Sequence, residues 1–233
     1  MAKSSRAATS SVENMLFTHL EHSCVLVEHN GTRVLFDPGN FSTGFETLTG
    51  LDAILVTHQH PDHADPARLP ALVEANPDAV RYADPQTAAQ LNARDDAGRW
   101  SVIAPGELLT VGAFTVRGTG GRHAVIHPEL PVIDNISYVL DVDGRPGAFC
   151  HPGDSLYIPF ERIDVLALPA AAPWLKISEP IDYLRAVSPR VAFGIHQAVQ
   201  SDAGRAVHNA RLAEMAPDGT DYRVLPVGEA VEL

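Results

Sequence analysis

The chain has 233 residues, of which 45% are hydrophobic and 20% charged, and its formal net charge is −12. This length and composition fit one large globular domain or two small ones, and they exclude a disordered or fibrous chain. The negative charge argues against nonspecific binding to nucleic acid or to an anionic membrane.

The first 14 residues, MAKSSRAATSSVEN, are polar and small and lack the hydrophobic core of a signal peptide. We interpret residues 1–14 as a flexible lead-in and residues 15–233 as a single domain. No apolar run is long enough to span a bilayer. The two cysteines, Cys24 and Cys150, form no CxxC pair, which fits a reducing compartment. The sequence therefore predicts a cytoplasmic protein without a membrane partner.

The first half of the chain predicts mainly strands. Strand-like runs at MLFTHL and SCVLVEHN lead through Asn30 and Gly31, a hairpin dipeptide, into TRVLFDPG. The run DAILVT is short and continuously apolar, which is typical of a strand buried on both faces. Helices are predicted at DPARLPALVEA and DPQTAAQLNAR, because Asp65 and Asp84 are N-cap residues followed by proline at the first helical position.

The second half of the chain likewise predicts strands interspersed with helices. Strands are predicted at LLTVGAFTVRG, with Gly112 at the turn, and at NISYVLDVDG. The segments GAFCHPGDS, DVLALPA and RVAFGIHQ are typical of strands that run into loops. EPIDYLRAV and AGRAVHNARLAEMA predict helices, and YRVLPVGEAVEL predicts a closing hairpin. Strand-rich halves that are each followed by helices predict two sheets packed face to face, with the helices outside.

The segment THQHPDHAD follows the DAILVT strand and is dense in metal-ligand residue types. His58, His60, Asp62 and His63 occupy four of six consecutive positions. A strand end followed by a loop can turn these side chains to one side. Imidazole suits zinc, iron, manganese or nickel, and a carboxylate shifts the preference toward harder ions. A polar loop in solvent needs no such density of ligand types, so the segment predicts half of a metal site.

Three more residues of ligand type follow other predicted strands. His123 comes after TVRGTGGR, Asp154 lies in CHPGDS, and His196 lies in FGIHQ. Each alone is a weak signal, because a single histidine after a strand is usually structural or solvated. Together with the first cluster they supply enough imidazoles and carboxylates for two ions that share one bridging carboxylate.

This order of motifs resembles the metallo-β-lactamase-fold superfamily. His-x-His-x-Asp-His, a separate histidine, an aspartate in a GD loop and a final histidine follow one another, and the early LFDPG with Asp37 resembles the superfamily's first motif. The resemblance implies an α+β fold, an αββα four-layer sandwich of two mixed sheets with the metals at one edge. The short HS…FDPG opening is most similar to the hydrolases related to ascorbate-6-phosphate lactonase, except that Glu21 stands where those relatives often have glycine.

The resemblance also implies two divalent ions, zinc first, with manganese, iron or nickel as alternatives. Their ligands would be His58, His60 and His123 at the first metal, Asp62, His63 and His196 at the second, and Asp154 between them. Asp37 would orient a ligand histidine by accepting its other N–H, or would serve only as a turn residue. A hydroxide bridging the ions would attack an ester, lactone or phosphoester, and Asp62 is the candidate catalytic proton acceptor where the second site is empty. No G-x-S-x-G nucleophile elbow is present.

Four further side chains are candidate substrate contacts. His127 lies on the loop after His123 and could donate to an oxyanion, although we favour the interpretation as an exposed loop histidine. Trp174 and Lys176 follow the DVLALPA strand, where a ring face beside a cation suits a ring-bearing, anionic or phosphorylated substrate. The alternative for Trp174 is that its ring covers part of the hydrophobic core. His22, in the early His-Ser pair, is the fourth candidate.

The leading hypothesis is a dinuclear metal-dependent hydrolase that acts on a small molecule. A phosphodiesterase or nuclease of the same fold is the first alternative, and the acidic composition and the lack of an added nucleic-acid-binding domain count against a nucleic-acid partner. A di-iron oxidoreductase would usually carry a carboxylate where this chain has His60. A non-catalytic metal-binding sensor commonly loses ligands, whereas every expected ligand position is filled. The substrate and the oligomeric state, a homo-oligomer included, stay open.

Overall fold

The computed structural model describes residues 15–233, and the predicted lead-in at residues 1–14 lies outside the described residues. Within the described part of the chain, two seven-stranded sheets are accompanied by four α-helices. None of the helices in residues 15–233 combines the length and the apolar character needed to cross a bilayer.

The first sheet is built mostly from the first half of the chain. Its strands are β1 (Leu16–His19), β2 (Val25–His29), β3 (Thr32–Phe36), β4 (Ala53–Val56), β5 (Val80–Ala83), β6 (Ser101–Val102) and β14 (Ala230–Glu232). Their order is β14-β1-β2-β3-β4-β5-β6, antiparallel as far as β3 and parallel from β3 to β6. The predicted hairpin between β2 and β3 is confirmed, with left-handed φ values of 47° at Asn30 and 75° at Gly31. The short strands β5 and β6 were not predicted.

The second sheet repeats the pattern with the second half of the chain. Its strands are β7 (Leu108–Val111), β8 (Phe114–Gly120), β9 (Ile136–Val142), β10 (Arg145–His151), β11 (Val165–Pro169), β12 (Val191–Ile195) and β13 (Asp221–Arg223). Their order is β13-β12-β11-β10-β9-β8-β7, antiparallel from β7 to β10 and parallel from β10 to β13.

The predicted closing hairpin is wrong. Its first strand, β13, adds in parallel to β12 of the second sheet, whereas β14 adds antiparallel to β1 of the first sheet. Both are short strands, and each forms the edge of a different sheet, so the row of unpaired backbone donors and acceptors at that edge is short. Leu225, between them, is buried in the core between the sheets. The chain end therefore joins the two sheets.

The helices are α1 (Leu69–Ala75), α2 (Pro85–Asn92), α3 (Ser178–Val187) and α4 (Asp202–Met215). Helix α2 begins as predicted, with the Asp84 carboxylate accepting two backbone N–H groups of the first turn. Helix α1 begins later than predicted. A helix starting at Pro66 would place Pro70 in its interior, where the missing N–H and the ring break the ladder. The helix instead begins at Leu69, and Asp65 caps the preceding turn.

Three apolar clusters define four layers. Alternate strand residues face opposite sides, so Val34 and Phe36 of β3 lie in the cluster between the two sheets, while Leu35 faces α1 and α2. On the far side of the second sheet, Leu166 of β11 packs with Leu184 of α3. The predicted αββα sandwich is thereby confirmed. The carboxyl ends of β4, β8, β10 and β12 carry the loops that hold the candidate ligands, and Asp37 follows β3.

Candidate metal centre

The seven predicted ligands lie in loops that follow strands, and they converge in two groups. In each group one ligand atom per residue lies within 4.8 Å of the others. The groups are His58, His60, His123 and Asp154, and His22, Asp62, His63 and His196. The structure thus brings all seven together, and it adds His22 to the second group.

Asp154 lies between the two groups. Its Oδ1 is 3.1 Å from Nε2 of His63, and its Oδ2 is 3.2 Å from Nε2 of His196, both in the second group. The same Oδ2 is 3.4 Å from Nε2 of His123 in the first group. The indole N–H of Trp174 donates to Oδ2 at 3.1 Å. One buried carboxylate therefore faces both groups, as a bridging ligand must.

Asp37 and Thr57 fix the orientation of two of the histidines. The Thr57 hydroxyl donates to Oδ2 of Asp37 at 2.7 Å, so its oxygen is free to accept from Nδ1–H of His58 at 3.0 Å. His63 donates its Nδ1–H directly to Asp37 at 2.6 Å. In their neutral form both rings carry the proton on Nδ1 and turn an Nε2 lone pair toward the ligand groups. Asp37 has the predicted geometry of an orienting carboxylate.

Backbone carbonyls do the same for two other histidines. Nδ1–H of His123 donates to the carbonyl of Ala124 at 2.6 Å, and that of His196 donates to the carbonyl of Ala171 at 2.7 Å. A carbonyl oxygen only accepts, so Nδ1 must carry the proton in both rings. Nε2 is therefore the atom of each ring that can bind a cation when the ring is neutral.

The unpaired atoms of the two groups fit divalent cations. Within residues 15–233, five buried atoms of these groups make no hydrogen bond of acceptable geometry: Nε2 of His63, His123 and His196, Oδ1 of Asp154, and Nδ1 of His22. Buried polar atoms left in this way are costly unless a ligand satisfies them. Two donor atoms bound to one zinc ion lie about 3.3 Å apart, which matches the distances around Asp154.

The charges of the second group are strongly coupled. Burial lowers the pKa of His196, but the Asp154 carboxylate more than offsets it and raises the pKa to about 9. Burial also lowers the pKa of His63, but the nearby Asp154 and Asp37 carboxylates together have the larger effect and raise it well above its usual value. Burial raises the pKa of Asp154. The nearby imidazoles of His196 and His63 lower it by more, so it lies well below its ordinary range. The metal-free group therefore holds protons that a cation must displace.

This predicts a pH dependence of metal affinity. Below about pH 9 a cation entering the second group must displace the His196 proton, so apparent Zn²⁺ affinity should rise with pH and level off above it. The slope should reach up to about tenfold per pH unit for each proton released. Competition with a chromophoric chelator between about pH 6 and about pH 10 measures it, with chelator protonation corrected separately. An affinity independent of pH over that range would contradict the prediction.

Two glycines permit the close approach of the site loops. A Cβ on Gly39, in the FDPG segment, would lie 1.7 Å from the backbone oxygen of Asp62. A Cβ on Gly153 would lie 2.5 Å from Oδ1 of Asn135 and 2.6 Å from Thr57. Asn135 in turn accepts the backbone N–H of Asp154 at 2.9 Å. Asn135 and Thr57 were missed by the sequence analysis, and only the position of Thr57 beside the histidine motif could have drawn attention to it.

A cavity of about 440 Å³ adjoins the first group at His123. Trp174, Tyr157 and Leu156 line it, with Arg122 at its exposed rim. Of the candidate substrate contacts, Trp174 thus borders a cavity beside the ligands.

The other three candidates lie elsewhere. His127 is exposed and accepts the backbone N–H of Glu129 at 3.2 Å, and Lys176 is exposed; neither lines the cavity. The ring of His22 is fully buried and lies against Asp62, outside the cavity lining.

Comparison with known proteins agrees with this geometry. A family model described as "Beta-lactamase superfamily domain" matches residues 16–196. Protein Rv0786c of Mycobacterium tuberculosis is 55% identical to this chain over 217 residues, covering 93% of this chain and 99% of that protein. The UPF0173 metal-dependent hydrolase of Carboxydothermus hydrogenoformans is 27% identical, covering 94% of this chain and 100% of that protein. The metallo-β-lactamase fold protein YhfI from Bacillus subtilis shares the fold, with a TM-score of 0.72 at 18% identity over 94% of this chain and 100% of that chain.

Proposed function

Because the chain belongs to the metallo-β-lactamase superfamily of metal-dependent hydrolases, we propose that it hydrolyses a small ester, lactone or phosphoester with two metal ions. The observation that carries the proposal is the buried Asp154 carboxylate between two groups of imidazoles, three of which have an Nε2 atom without a hydrogen bond. Zinc is the first candidate, and manganese, iron or nickel are alternatives with the same ligand types.

When bound, the two ions would lower the pKa of a water molecule and polarise the carbonyl or phosphoryl oxygen of the substrate. The chain's own residues hold the reactants in place. Asp37 and Thr57 keep the rings of His58 and His63 in one tautomer and one orientation. Asp62 has a side chain that is 19% exposed, so it could accept a proton from an approaching water where the second metal position is empty.

The cavity beside His123 supports a small substrate. Its volume of about 440 Å³ lies within the range of small-molecule pockets. Trp174 and Tyr157 supply ring faces for the body of the substrate. The Arg122 guanidinium, at the rim, has no ion pair or hydrogen-bond partner among the described residues. We propose that it binds an anionic group of the substrate in this acidic protein.

Replacing Arg122 by alanine tests this recognition. We expect KM for an anionic ester or lactone to rise about tenfold, the loss of one charge-assisted hydrogen bond, with kcat almost unchanged. An uncharged substrate of the same size should be hydrolysed as before. Lys176→Ala is the matched control, because this nearby cation lies outside the cavity lining. Equal effects on charged and uncharged substrates, or from both variants, would refute the assignment of Arg122.

The function itself is tested by a substrate panel. Protein loaded with zinc, manganese or iron is assayed on lactones, aryl esters, phosphomonoesters and phosphodiesters, before and after removal of metal by a chelator. The proposal expects turnover on at least one ester or lactone class that stops on chelation and returns with metal. Metal-loaded, folded protein that hydrolyses none of them would favour a metal-binding sensor.

A further inference from the structure

His22 occupies a strained turn between β1 and β2. The backbone of Glu21 and His22 is left-handed at both residues, with φ of 69° and 52°. Residues other than glycine rarely adopt this conformation, and two in succession persist only where the surroundings impose them. Three hydrogen bonds do so here: the His22 carbonyl accepts from Nε2–H of His19 and from the backbone N–H of His196, each at 2.9 Å, and the Ser42 hydroxyl donates to the Glu21 carbonyl at 3.0 Å.

The turn presses the His22 ring into the second ligand group. Its Nε2 lies 3.0 Å from Oδ2 of Asp62, and its centroid lies 4.1 Å from that of the His196 ring. The ring is fully buried. Such a position admits two roles: a third imidazole ligand of the second metal, or a hydrogen-bond donor to the Asp62 carboxylate.

The other ring nitrogen decides between these roles. A histidine that binds metal through Nε2 carries its proton on Nδ1, and Nδ1–H then needs an acceptor. His58, His63, His123 and His196 all have one. Nδ1 of His22 is buried and has no partner within residues 15–233. A buried N–H without a partner is rarer than an unsatisfied acceptor. The proton therefore belongs on Nε2, from which it is donated in a hydrogen bond to Asp62.

We propose that His22 is a positioning residue, whose Nε2–H holds Oδ2 of Asp62 in the second ligand group. It is then neither a metal ligand nor a substrate contact. Asp62 is the most exposed carboxylate of the two groups, at 19% of its side chain, and without this bond it could rotate toward solvent. The strained backbone of Glu21 and His22 places the neutral Nε2–H of His22 beside the Asp62 carboxylate. The inference rests on the proposed metal site.

The tautomer of His22 is the direct test. In protein labelled with ¹⁵N at histidine, two-bond ¹H–¹⁵N correlation spectra assign the protonated nitrogen of each ring, and a His22→Gln sample identifies the His22 signals. We expect His22 to be protonated at Nε2 in both the metal-free and the zinc-loaded protein, with Nδ1 bare. A zinc-bound Nε2 with the proton on Nδ1 would overturn the proposal. Because the metal-free protein gives its own answer, failure to bind zinc, manganese, iron or nickel would refute the proposed function while still testing the His22–Asp62 bond.

Metal titration of two variants supplies the second readout. His22→Gln keeps an N–H donor near the Nε2 position, whereas His22→Leu removes it. We expect His22→Leu to weaken the second ion by about 10–100-fold and to leave the first ion unchanged, and His22→Gln to restore most of that affinity. Equal losses in both variants, or none in either, would overturn the proposal. If His22→Leu does not fold, the tautomer measurement on the wild-type protein still decides.

Discussion

Replacing Asp154 by asparagine is expected to abolish binding at both metal positions and to lower kcat at least about a thousandfold. The carboxylate faces His63 and His196 on one side and His123 on the other. A neutral amide of the same size cannot offset the charge of two divalent cations. A thousandfold drop in kcat corresponds to a loss of about 4 kcal/mol of transition-state stabilisation. Elemental analysis and kinetics on the best substrate of the panel measure the two effects.

Asp62→Asn is the matched comparison for Asp154→Asn. Asp62 belongs to the second group alone, so this variant should lose one ion and keep the other. Both variants keep their side-chain volume, and near-ultraviolet circular dichroism reports whether the fold is intact. If Asp154→Asn folds and retains two ions, or loses only as much metal as Asp62→Asn, Asp154 does not bridge the groups.

Replacing Asp37 by asparagine should reduce the free energy of unfolding of the metal-free protein by about 3–5 kcal/mol. Asp37 is fully buried, and its Oδ2 accepts from the Thr57 hydroxyl at 2.7 Å and from Nδ1–H of His63 at 2.6 Å. In the variant, an amide NH₂ placed there would face two donors and leave the His63 ring without its acceptor. Affinity at the second metal position should fall with it, by about 10–100-fold.

Urea unfolding followed by circular dichroism measures the stability change. Asp143→Asn is the control, because Asp143 also pairs with a buried histidine, His29, at 2.9 Å, but its own side chain is 46% exposed. Exposed ion pairs contribute at most about 1 kcal/mol, so this variant should unfold almost as the wild type does. An Asp37→Asn protein as stable as Asp143→Asn would show that Asp37 is only a turn residue.

Local patterns were sufficient to predict the main elements. The hairpin at Asn30 and Gly31 follows from the positive φ values that its turn requires, and the strand before the histidine motif follows from its unbroken apolar run. These two features depend on a few neighbouring residues. The convergence of the ligands was predicted only from the resemblance to the superfamily, because β4 belongs to the first sheet whereas β8, β10 and β12 belong to the second.

The remainder depends on partners far away in the chain. Nothing in YRVLPVGEAVEL indicates that its two strands complete different sheets. The carbonyl and hydroxyl groups that fix the histidine tautomers belong to neighbours whose roles appear only once the strands are aligned. His22 was predicted to contact substrate, whereas it is buried behind Asp62 by a turn whose strain the sequence does not reveal. Asn135, which holds the backbone of Asp154, had no sequence signal.

Metal content tests the central claim most directly. Protein purified without chelator and without a nickel affinity step, then equilibrated with zinc and freed of excess ion, should contain about two ions per chain by elemental analysis. His58→Ala, which removes a ligand of the first group only, should contain about one. Folded wild-type protein that holds no zinc, or a variant that holds as much as the wild type, would contradict the assignment of two metal positions joined by Asp154.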